Sequence, residues 1–234
     1  MTARRLKFTH ILNCRDLGGY QTEYGVTKFG RFLRAGVVEV PDDSEIKALE
    51  VYGVNTVIDL RGDFEVNDMQ TGLGRISGCK HMNISLYEAN VANANGEMGQ
   101  LGEIYSMIVD ENRDKIRIVL EAIADADDGC LFYHCFFGKD RTGILTLLLL
   151  TIAGADEDDI IADYEVTYSY IRRYVDEHAD TLWSKDRTFH YSKAETLITL
   201  IEHINEKYGS VYDYILSTGI SEEKIYKIRR KFFE

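Results

Sequence analysis

Apolar and polar residues are distributed along the chain in blocks that predict strands interleaved with helices. Short apolar and β-branched runs predict buried strands at residues 54–60, 79–86 and 130–134. Longer segments with apolar residues three or four positions apart predict helices at 41–53, 101–111, 113–126, 142–153, 156–180, 194–208, 210–217 and 221–232. Residues 20–38 are typical of an antiparallel hairpin with Gly25 and Gly30 in its turns. We therefore expect an α/β sandwich with a mostly parallel central sheet flanked by helices.

The pattern contains no break that separates two domains. No repeat is evident, and the single proline, Pro41, leaves no Pro-rich linker. We therefore expect one domain over residues 1–234. Residues 87–100, rich in Asn, Ala and Gly, predict a loop. Residues 165–193 carry many aromatic residues and several arginines, so they are either a helical lid over a site or amphipathic helices packed on the domain.

Composition excludes several classes of protein. The net charge of −12 argues against a nucleic-acid-binding surface. No apolar run reaches the ~18 residues of a membrane helix, so stable membrane insertion is not expected. The basic N-terminus lacks the apolar stretch of a secretory signal. The four cysteines show neither metal-ligand spacing nor a dense disulfide pattern, so we expect no metal, no cofactor and a reducing, cytoplasmic location.

The segment 134–143, His-Cys-Phe-Phe-Gly-Lys-Asp-Arg-Thr-Gly, concentrates the candidate chemistry. It lies between the predicted strand 130–134 and a helix-length apolar run, so a strand, a tight loop and a helix N-terminus are expected to carry it. Free backbone N–H groups and the helix dipole converge in such a loop. The arrangement predicts a phosphate-binding cradle.

Each residue type in this loop suits phosphate chemistry. The N–H groups stabilise a thiolate at Cys135, which makes it a nucleophile. Arg141 offers a planar fork that binds two phosphoryl oxygens at once. Gly138 lets the loop turn, and Thr142 can cap N–H groups or hydrogen-bond the cysteine sulfur. A lone Cys–Arg spacing would fit a buried cysteine beside an ordinary helix start, but the complete set favours an active-site loop.

This motif resembles that of the cysteine-dependent protein tyrosine phosphatase superfamily. More narrowly, it resembles the bacterial and fungal branch, some of whose members also accept phosphoinositides. Further segments that are similar to motifs of that branch are 13–20 (NCRDLGGY), 30–36 (GRFLRAG), 57–61 (VIDLR), 208–210 (YGS) and 219–221 (GIS). The resemblance implies a phosphomonoester hydrolase with a phosphocysteine intermediate. Its substrates would be phosphorylated proteins, primarily at phosphotyrosine, with phosphoserine/threonine or a phosphoinositide as a second capacity.

The resemblance also assigns roles within the loop. Cys135 would be the nucleophile, and Arg141 would stabilise the transferred phosphoryl group. The expected substrate-binding residues are Phe136, Phe137, Gly138, Lys139 and Thr142. The Lys139 ammonium could reach a second phosphate, since the Gly-Lys pair resembles the loop of phosphoinositide 3-phosphatases. Phe137 is larger than the residue often found there, and it would either narrow the pocket mouth or form an aromatic wall.

The general acid is less directly indicated. The Trp-Pro-Asp loop of many tyrosine phosphatases is absent, because the only proline is Pro41 and the only tryptophan is Trp183. The branch carries an aspartate at the place of Asp140, with a proposed proton-transfer role. Asp63, after the 57–61 strand end, is the alternative acid. Asp140 could instead only orient Lys139 or Arg141 through an ion pair.

Other polar residues have structural interpretations. Asp16 in the Asp-Leu-Gly-Gly run is expected to fix a turn, and Asp59 to pair with Arg61 or bind nearby backbone. His134 is expected to support the cysteine loop through its ring. Two alternatives to phosphatase activity stay open here: a catalytically weak, phosphate-binding pseudophosphatase, and a thiol-based redox or sulfur-transfer enzyme.

Overall fold

The structure is a computed structural model that describes residues 4–86, 100–182 and 187–234. Nearly all of the predicted loop 87–100, together with Trp183, lies outside the described residues. The elements follow the expected alternation of strands and helices. In chain order they are β1 (Ile11–Asp16), β2 (Gln21–Thr22), β3 (Gly25–Val26), β4 (Phe32–Val37), α1 (Asp43–Tyr52), β5 (Val54–Asp59), α2 (Asp63–Asp68), β6 (Lys80–Asn83), α3 (Leu101–Glu111), α4 (Arg113–Asp125), β7 (Cys130–Cys135), α5 (Asp140–Ala153), α6 (Glu157–Glu177), α7 (Ala194–Tyr208), α8 (Val211–Ser217) and α9 (Glu222–Phe233).

The central sheet has the strand order β1-β4-β7-β5-β6. The β4–β7, β7–β5 and β5–β6 pairs are parallel, and only β1 runs antiparallel to its neighbour β4. This confirms the predicted α/β fold with a mostly parallel sheet. The carboxyl ends of β4, β5 and β7 therefore meet at one edge of the sheet, where open α/β sheets bind their ligands.

The hairpin predicted over residues 20–38 is wrong in its pairing. β2 and β3 form a small two-stranded sheet of their own, whereas β4 lies between β1 and β7 in the central sheet. Every residue of β4 is buried, as expected for a strand covered on both faces. The sequence pattern does not predict β1, because Asn13, Arg15 and Asp16 interrupt its apolar residues.

The predicted helices are present, and their ends follow local signals. Helix α1, for example, begins with a capping box between Asp42 and Glu45 and ends at Gly53, which has a φ of 96°. A large apolar core joins one face of the sheet to helices including α3–α5 and α7–α9, and a second core joins the sheet to α1. Helix α5 is buried nearly all round, which explains its uniformly apolar sequence. Across residues 4–86, 100–182 and 187–234, no helix is both long and apolar enough to span a membrane.

Candidate active site

The loop that follows β7 has the predicted strand–loop–helix form. β7 ends at Cys135, and α5 begins at Asp140. No side chain caps the N-terminus of α5. The first N–H groups of a helix have no partner within the helix, so those of α5 are available to an anion in the loop.

Cys135 lies at the centre of this arrangement. Its side chain is almost entirely buried. The Thr142 hydroxyl donates a hydrogen bond to the Cys135 sulfur at 3.2 Å, as the sequence predicts. This bond ties the sulfur to the first turn of α5.

Two glycines let the loop pack directly on β4. Gly138 has a φ of +66°, and a Cβ atom there would lie 2.4 Å from the carbonyl carbon of Ala35. A Cβ on Gly36 would lie 2.3 Å from the carbonyl carbon of Phe137. Both distances are far below ordinary contact, so no side chain fits at either position.

Arg141 is held by a carboxylate that sequence reasoning missed. Its Nη1 and Nη2 atoms donate to the two carboxylate oxygens of Glu65 in α2, the second at 2.7 Å. Glu65 also accepts from the backbone N–H of Gly62 at 3.0 Å. Burial raises the pKa of Glu65, but the hydrogen bonds and charge of Arg141 outweigh it and bring that pKa below its ordinary value. The pair fixes the guanidinium beside the loop.

Asp140 has a tyrosine partner. The Tyr105 hydroxyl donates to the Asp140 carboxylate at 2.6 Å and lies 2.8 Å from the Tyr164 hydroxyl. Burial, together with the charge of Asp140, holds the pKa of Tyr105 well above its ordinary value, so the phenol remains a donor. The ammonium of Lys139 lies 3.3 Å from the same carboxylate oxygen. The ion pair considered as an alternative role for Asp140 is thus formed with Lys139, while Asp140 keeps 31% of its side chain exposed.

Lys139 and Phe137 both extend toward the segment at 187–191. The buried Lys139 side chain donates to the carbonyl oxygens of Phe189 and Tyr191. The Phe137 ring packs edge-on against Tyr174 of α6 and His190. It is 4% exposed, so the side chain joins the loop to α6 and to the 187–191 segment instead of forming a pocket wall.

Phe136 and Asp63 are the two remaining predicted site residues. Phe136 is partly exposed and packs edge-on against Phe137. Asp63 is exposed at the first position of α2, two residues before Glu65. The structure therefore places Cys135 at the end of β7 and Asp140, Arg141 and Thr142 in the first turn of α5, and it puts Asp63 on the helix that carries the partner of Arg141.

His134 has the supporting position that the sequence predicts. Its Nδ1 lies 3.2 Å from the carbonyl oxygen of Cys135, and its Nε2 lies 3.8 Å from Asp59. Burial lowers the pKa of His134 to about 4, so the ring is neutral near pH 7. Asp59 accepts four hydrogen bonds from the backbone N–H, the Nε and the Nη2 of Arg61, among them one of 2.8 Å from Nη2, which confirms its structural interpretation.

The potential ligand atoms of Asp59, His81 and His134 lie within 4.8 Å of one another, which is close enough to hold a metal ion. The carboxylate of Asp59 is already bound by Arg61, and the positive guanidinium would repel a cation. In a second group, His10, Asp42 and Glu45, the two carboxylates form the capping box at the start of α1, and the His10 ring lies 2.8 Å from Glu45. These donors serve the protein's own structure, so we assign no metal to them.

A buried polar cluster beneath the loop was not expected from the sequence pattern. Asp163 of α6 accepts from Arg15 Nε at 2.8 Å, from Arg34 Nη1 at 2.5 Å and from the Tyr20 hydroxyl at 2.9 Å. Burial would raise the pKa of Asp163, but the charges of Arg15 and Arg34 hold it well below its ordinary value. Asn13 completes the cluster by donating to the loop carbonyls of Phe137 and Gly138.

The signals for this cluster are present in the sequence. Arg34 interrupts an otherwise apolar strand, and Arg15 lies in the NCRDLGGY motif. Neighbouring Asp16 has the turn-fixing role that the sequence predicts, since it accepts from the N–H groups of Gly18 and Gly30 at 2.6 and 2.8 Å.

Comparison with known proteins decides the family. Residues 6–234 match the Tyrosine phosphatase family. The chain belongs to this family. Membership confirms the superfamily and the enzyme class that the motifs predict, a phosphatase, over the thiol-redox and sulfur-transfer alternatives.

Individual relatives are more distant. A tyrosine-protein phosphatase of Nostoc commune is 27% identical over 213 residues, covering 85% of this chain and 72% of that protein. A relative from Cupriavidus necator that also carries a tyrosine-protein phosphatase name is 27% identical, covering 68% of this chain and 61% of its own length. The triple specificity protein phosphatase PtpB of Mycobacterium tuberculosis is 33% identical over 113 residues, covering 41% of each protein.

Solved structures add little to this assignment. Two crystal structures of Pseudomonas aeruginosa TpbA, one of a variant in complex with pTyr, are each 11% identical to this chain. They cover 81% and 89% of it, and 86% and 91% of their own chains, with TM-scores of 0.38 and 0.39.

Proposed function

We propose that this phosphatase acts through a phosphocysteine intermediate formed on Cys135, with phosphotyrosine as its principal substrate. The observation that carries the proposal is the hydrogen bond from Thr142 to the Cys135 sulfur, where the loop enters an uncapped helix whose first turn holds Arg141. The sulfur attacks phosphorus, an S–P bond forms and the ester P–O bond breaks. Water then hydrolyses the S–P bond and releases phosphate, so one difficult displacement becomes two easier ones.

We propose Asp140 as the general acid. It would protonate the leaving oxygen as the ester bond breaks. Its partial exposure and its place in the loop support this role, and the hydroxyl of Tyr105 holds one of its oxygens. Asp63 is the alternative donor, from the start of α2.

Arg141 and the loop N–H groups would stabilise the charge on the equatorial oxygens of the phosphoryl group. Glu65 uses one N–H of each terminal nitrogen of Arg141. A guanidinium has five N–H donors, so the Nε–H and two others remain for the phosphoryl oxygens. Glu65 thus orients Arg141 without consuming its capacity to bind substrate.

Phosphoinositide or phosphoserine/threonine hydrolysis is proposed as a second capacity. The name of the Mycobacterium tuberculosis relative, a triple specificity phosphatase, supports a broad specificity. Lys139 would have to exchange the carbonyls of Phe189 and Tyr191 for the oxygens of a second phosphate. Lys139→Ala should then lower turnover of polyphosphorylated inositides more than turnover of a phosphotyrosine peptide. If Lys139→Ala turns over both substrates as fast as the parent enzyme does, Lys139 takes no part in substrate recognition.

We further propose a single phosphatase domain over residues 1–234, in which part of 165–193 covers the loop. The bonds from Lys139 and the packing of Phe137 against Tyr174 and His190 support this cover. A cytoplasmic location is proposed because the mechanism needs a free thiol, and Cys135 is free.

Hydrolysis of a generic aryl phosphate without added metal tests the proposed function. We expect turnover by the parent chain and none by Cys135→Ser, because serine lacks a comparably nucleophilic anion at neutral pH. Absence of turnover by the parent would leave a pseudophosphatase that binds phosphate without hydrolysing it.

A further inference from the structure

Asn13 has a backbone conformation that non-glycine residues rarely adopt. Its φ is +57°, and among the described residues it is the one non-glycine residue with a positive φ. Asparagine tolerates this region better than most residues, but such positions persist only where the surroundings hold them, and they cluster at functional sites.

The Asn13 side chain binds two consecutive carbonyls of the phosphate loop. Its Nδ2 donates to the carbonyl oxygen of Phe137 at 3.2 Å and to that of Gly138 at 2.8 Å. Arg34 Nη2 donates to the Gly138 carbonyl at 2.8 Å as well. Both carbonyls therefore point toward β1 and β4, into the buried cluster beneath the loop.

Because a peptide unit is planar, the bonds to these two carbonyls also fix the direction of the two N–H groups that follow them. In a planar trans peptide the C=O of one residue and the N–H of the next point in opposite directions. Because the carbonyls of Phe137 and Gly138 point into the cluster, the N–H groups of Gly138 and Lys139 point away from it. We propose that Asn13 and Arg34 are positioning residues that turn these two N–H groups toward the phosphoryl group, an inference that rests on the proposed function of the loop.

The cluster is built to hold Asn13 and Arg34 in place. Asp163 binds Arg34 at 2.5 Å and Arg15 at 2.8 Å, and Arg15 donates in turn to the backbone oxygen of Asn13 at 3.1 Å and to its side-chain oxygen. All four side chains are buried. Two guanidinium groups and one carboxylate leave one positive charge under the loop, which also favours an anion above it. This assigns a role in catalysis to the NCRDLGGY motif, through the loop backbone and without contact to the substrate.

Phosphate binding in a chain that cannot turn over tests the inference directly. The Kd of inorganic phosphate would be measured by calorimetry in the Cys135→Ser chain, with and without Asn13→Gly. Glycine adopts a positive φ freely, adds no charge and removes both amide donors. We expect the Kd to rise at least tenfold, because the two N–H groups lose their fixed direction. In the Cys135 enzyme, kcat on an aryl phosphate should fall by at least the same factor, since transition-state charge depends most on aligned donors.

Two further variants separate donor loss from general damage. Asn13→Asp keeps the backbone conformation and an acceptor for Arg15 but cannot donate, so this variant should also weaken phosphate binding. Asn13→Asp takes the place of Asn13→Gly if the glycine variant does not fold. Asn55→Gly removes an amide bond to the carbonyl of Asp128 and leaves the loop untouched, so its Kd should equal that of the parent. Thermal unfolding of each variant reports folding.

The outcomes distinguish this inference from the proposed function. A folded Asn13→Gly or Asn13→Asp variant that binds phosphate within twofold of its parent would overturn the inference, and so would a Cys135→Ser parent that binds no phosphate. If the parent enzyme shows no turnover but the Kd rises as expected, the proposed function fails and the positioning role stands.

Discussion

Replacing Glu65 by glutamine changes the charge beside Arg141 while keeping the shape of the side chain. In the parent, both terminal nitrogens of Arg141 donate to the Glu65 carboxylate, the second at 2.7 Å. The pair is largely enclosed, with side-chain exposures of 13% and 29%. Glu65→Gln keeps one acceptor oxygen but turns an amide NH2 toward the guanidinium, so at most one of the two bonds survives.

The size of the effect follows from the bond that is lost. Hydrogen bonds to charged groups contribute ~1.5–3 kcal/mol, and ~1.4 kcal/mol corresponds to a factor of ten in rate. If the lost bond is what aligns Arg141 with the transition state, kcat/KM on an aryl phosphate should fall about tenfold to a hundredfold. The pKa of Glu65 is below its ordinary value, so the carboxylate is fully charged near neutral pH and the comparison is unaffected by its titration.

The assay is steady-state hydrolysis of an aryl phosphate by folded Glu65→Gln and by a matched control. Asp68→Asn removes one negative charge from the exposed end of the same helix, and none of the ion pairs between described residues involves Asp68. We expect the control to keep the parent kcat/KM within about twofold, because exposed charges are screened. Equal losses of kcat/KM in the two variants would show that the net charge of α2 matters and that the contact between Glu65 and Arg141 does not. An unchanged kcat/KM in Glu65→Gln would refute the orienting role.

Two further predictions concern protons. Asp140→Asn should slow hydrolysis of alkyl phosphates more than that of activated aryl phosphates, because poor leaving groups need the acid. Asp63→Asn should slow hydrolysis of both substrates equally or of neither. Measuring kcat/KM over a series of leaving groups checks this, and the reverse pattern would make Asp63 the acid. Glu65 and Asp163 have pKa values below their ordinary ones, so each contributes stability that is present above about pH 4–5 and is lost as the pH falls through its folded-state pKa. Denaturant unfolding from pH 7 to 3 should show the free energy of unfolding decreasing with acid, less steeply in Glu65→Gln; identical slopes would contradict the linkage.

The sequence predicts the parts of the fold that depend on regular apolar spacing. Helices such as α4 and α9 have one apolar face, and β5 and β7 are short runs rich in apolar and β-branched residues, so their pattern alone identifies them. β1 escapes prediction because it buries Asn13, Arg15 and Asp16, whose partners lie elsewhere in the chain. α2 is too short, at six residues, to show a period.

The candidate site likewise contains residues that the local sequence pattern predicts and residues whose partners lie far away in the chain. Cys135, Arg141 and Thr142 belong to one contiguous motif, whose order implies their geometry. Glu65 lies 76 positions from Arg141, and nothing in the local pattern marks it as a partner. Lys139 shows the opposite difficulty: its place in the motif favours a substrate contact, whereas the fold brings the carbonyls of Phe189 and Tyr191 to it.

Rapid-quench detection of phosphate on Cys135 tests the central claim most directly. The enzyme would be mixed with an aryl phosphate and quenched in acid on the millisecond scale, and the modified peptide would be located by mass spectrometry. We predict a phosphoryl group on Cys135, formed and lost at rates that account for kcat, and none in Cys135→Ser. An enzyme that turns over while Cys135 stays unmodified, or a Cys135→Ser variant with near-normal turnover, would contradict the account.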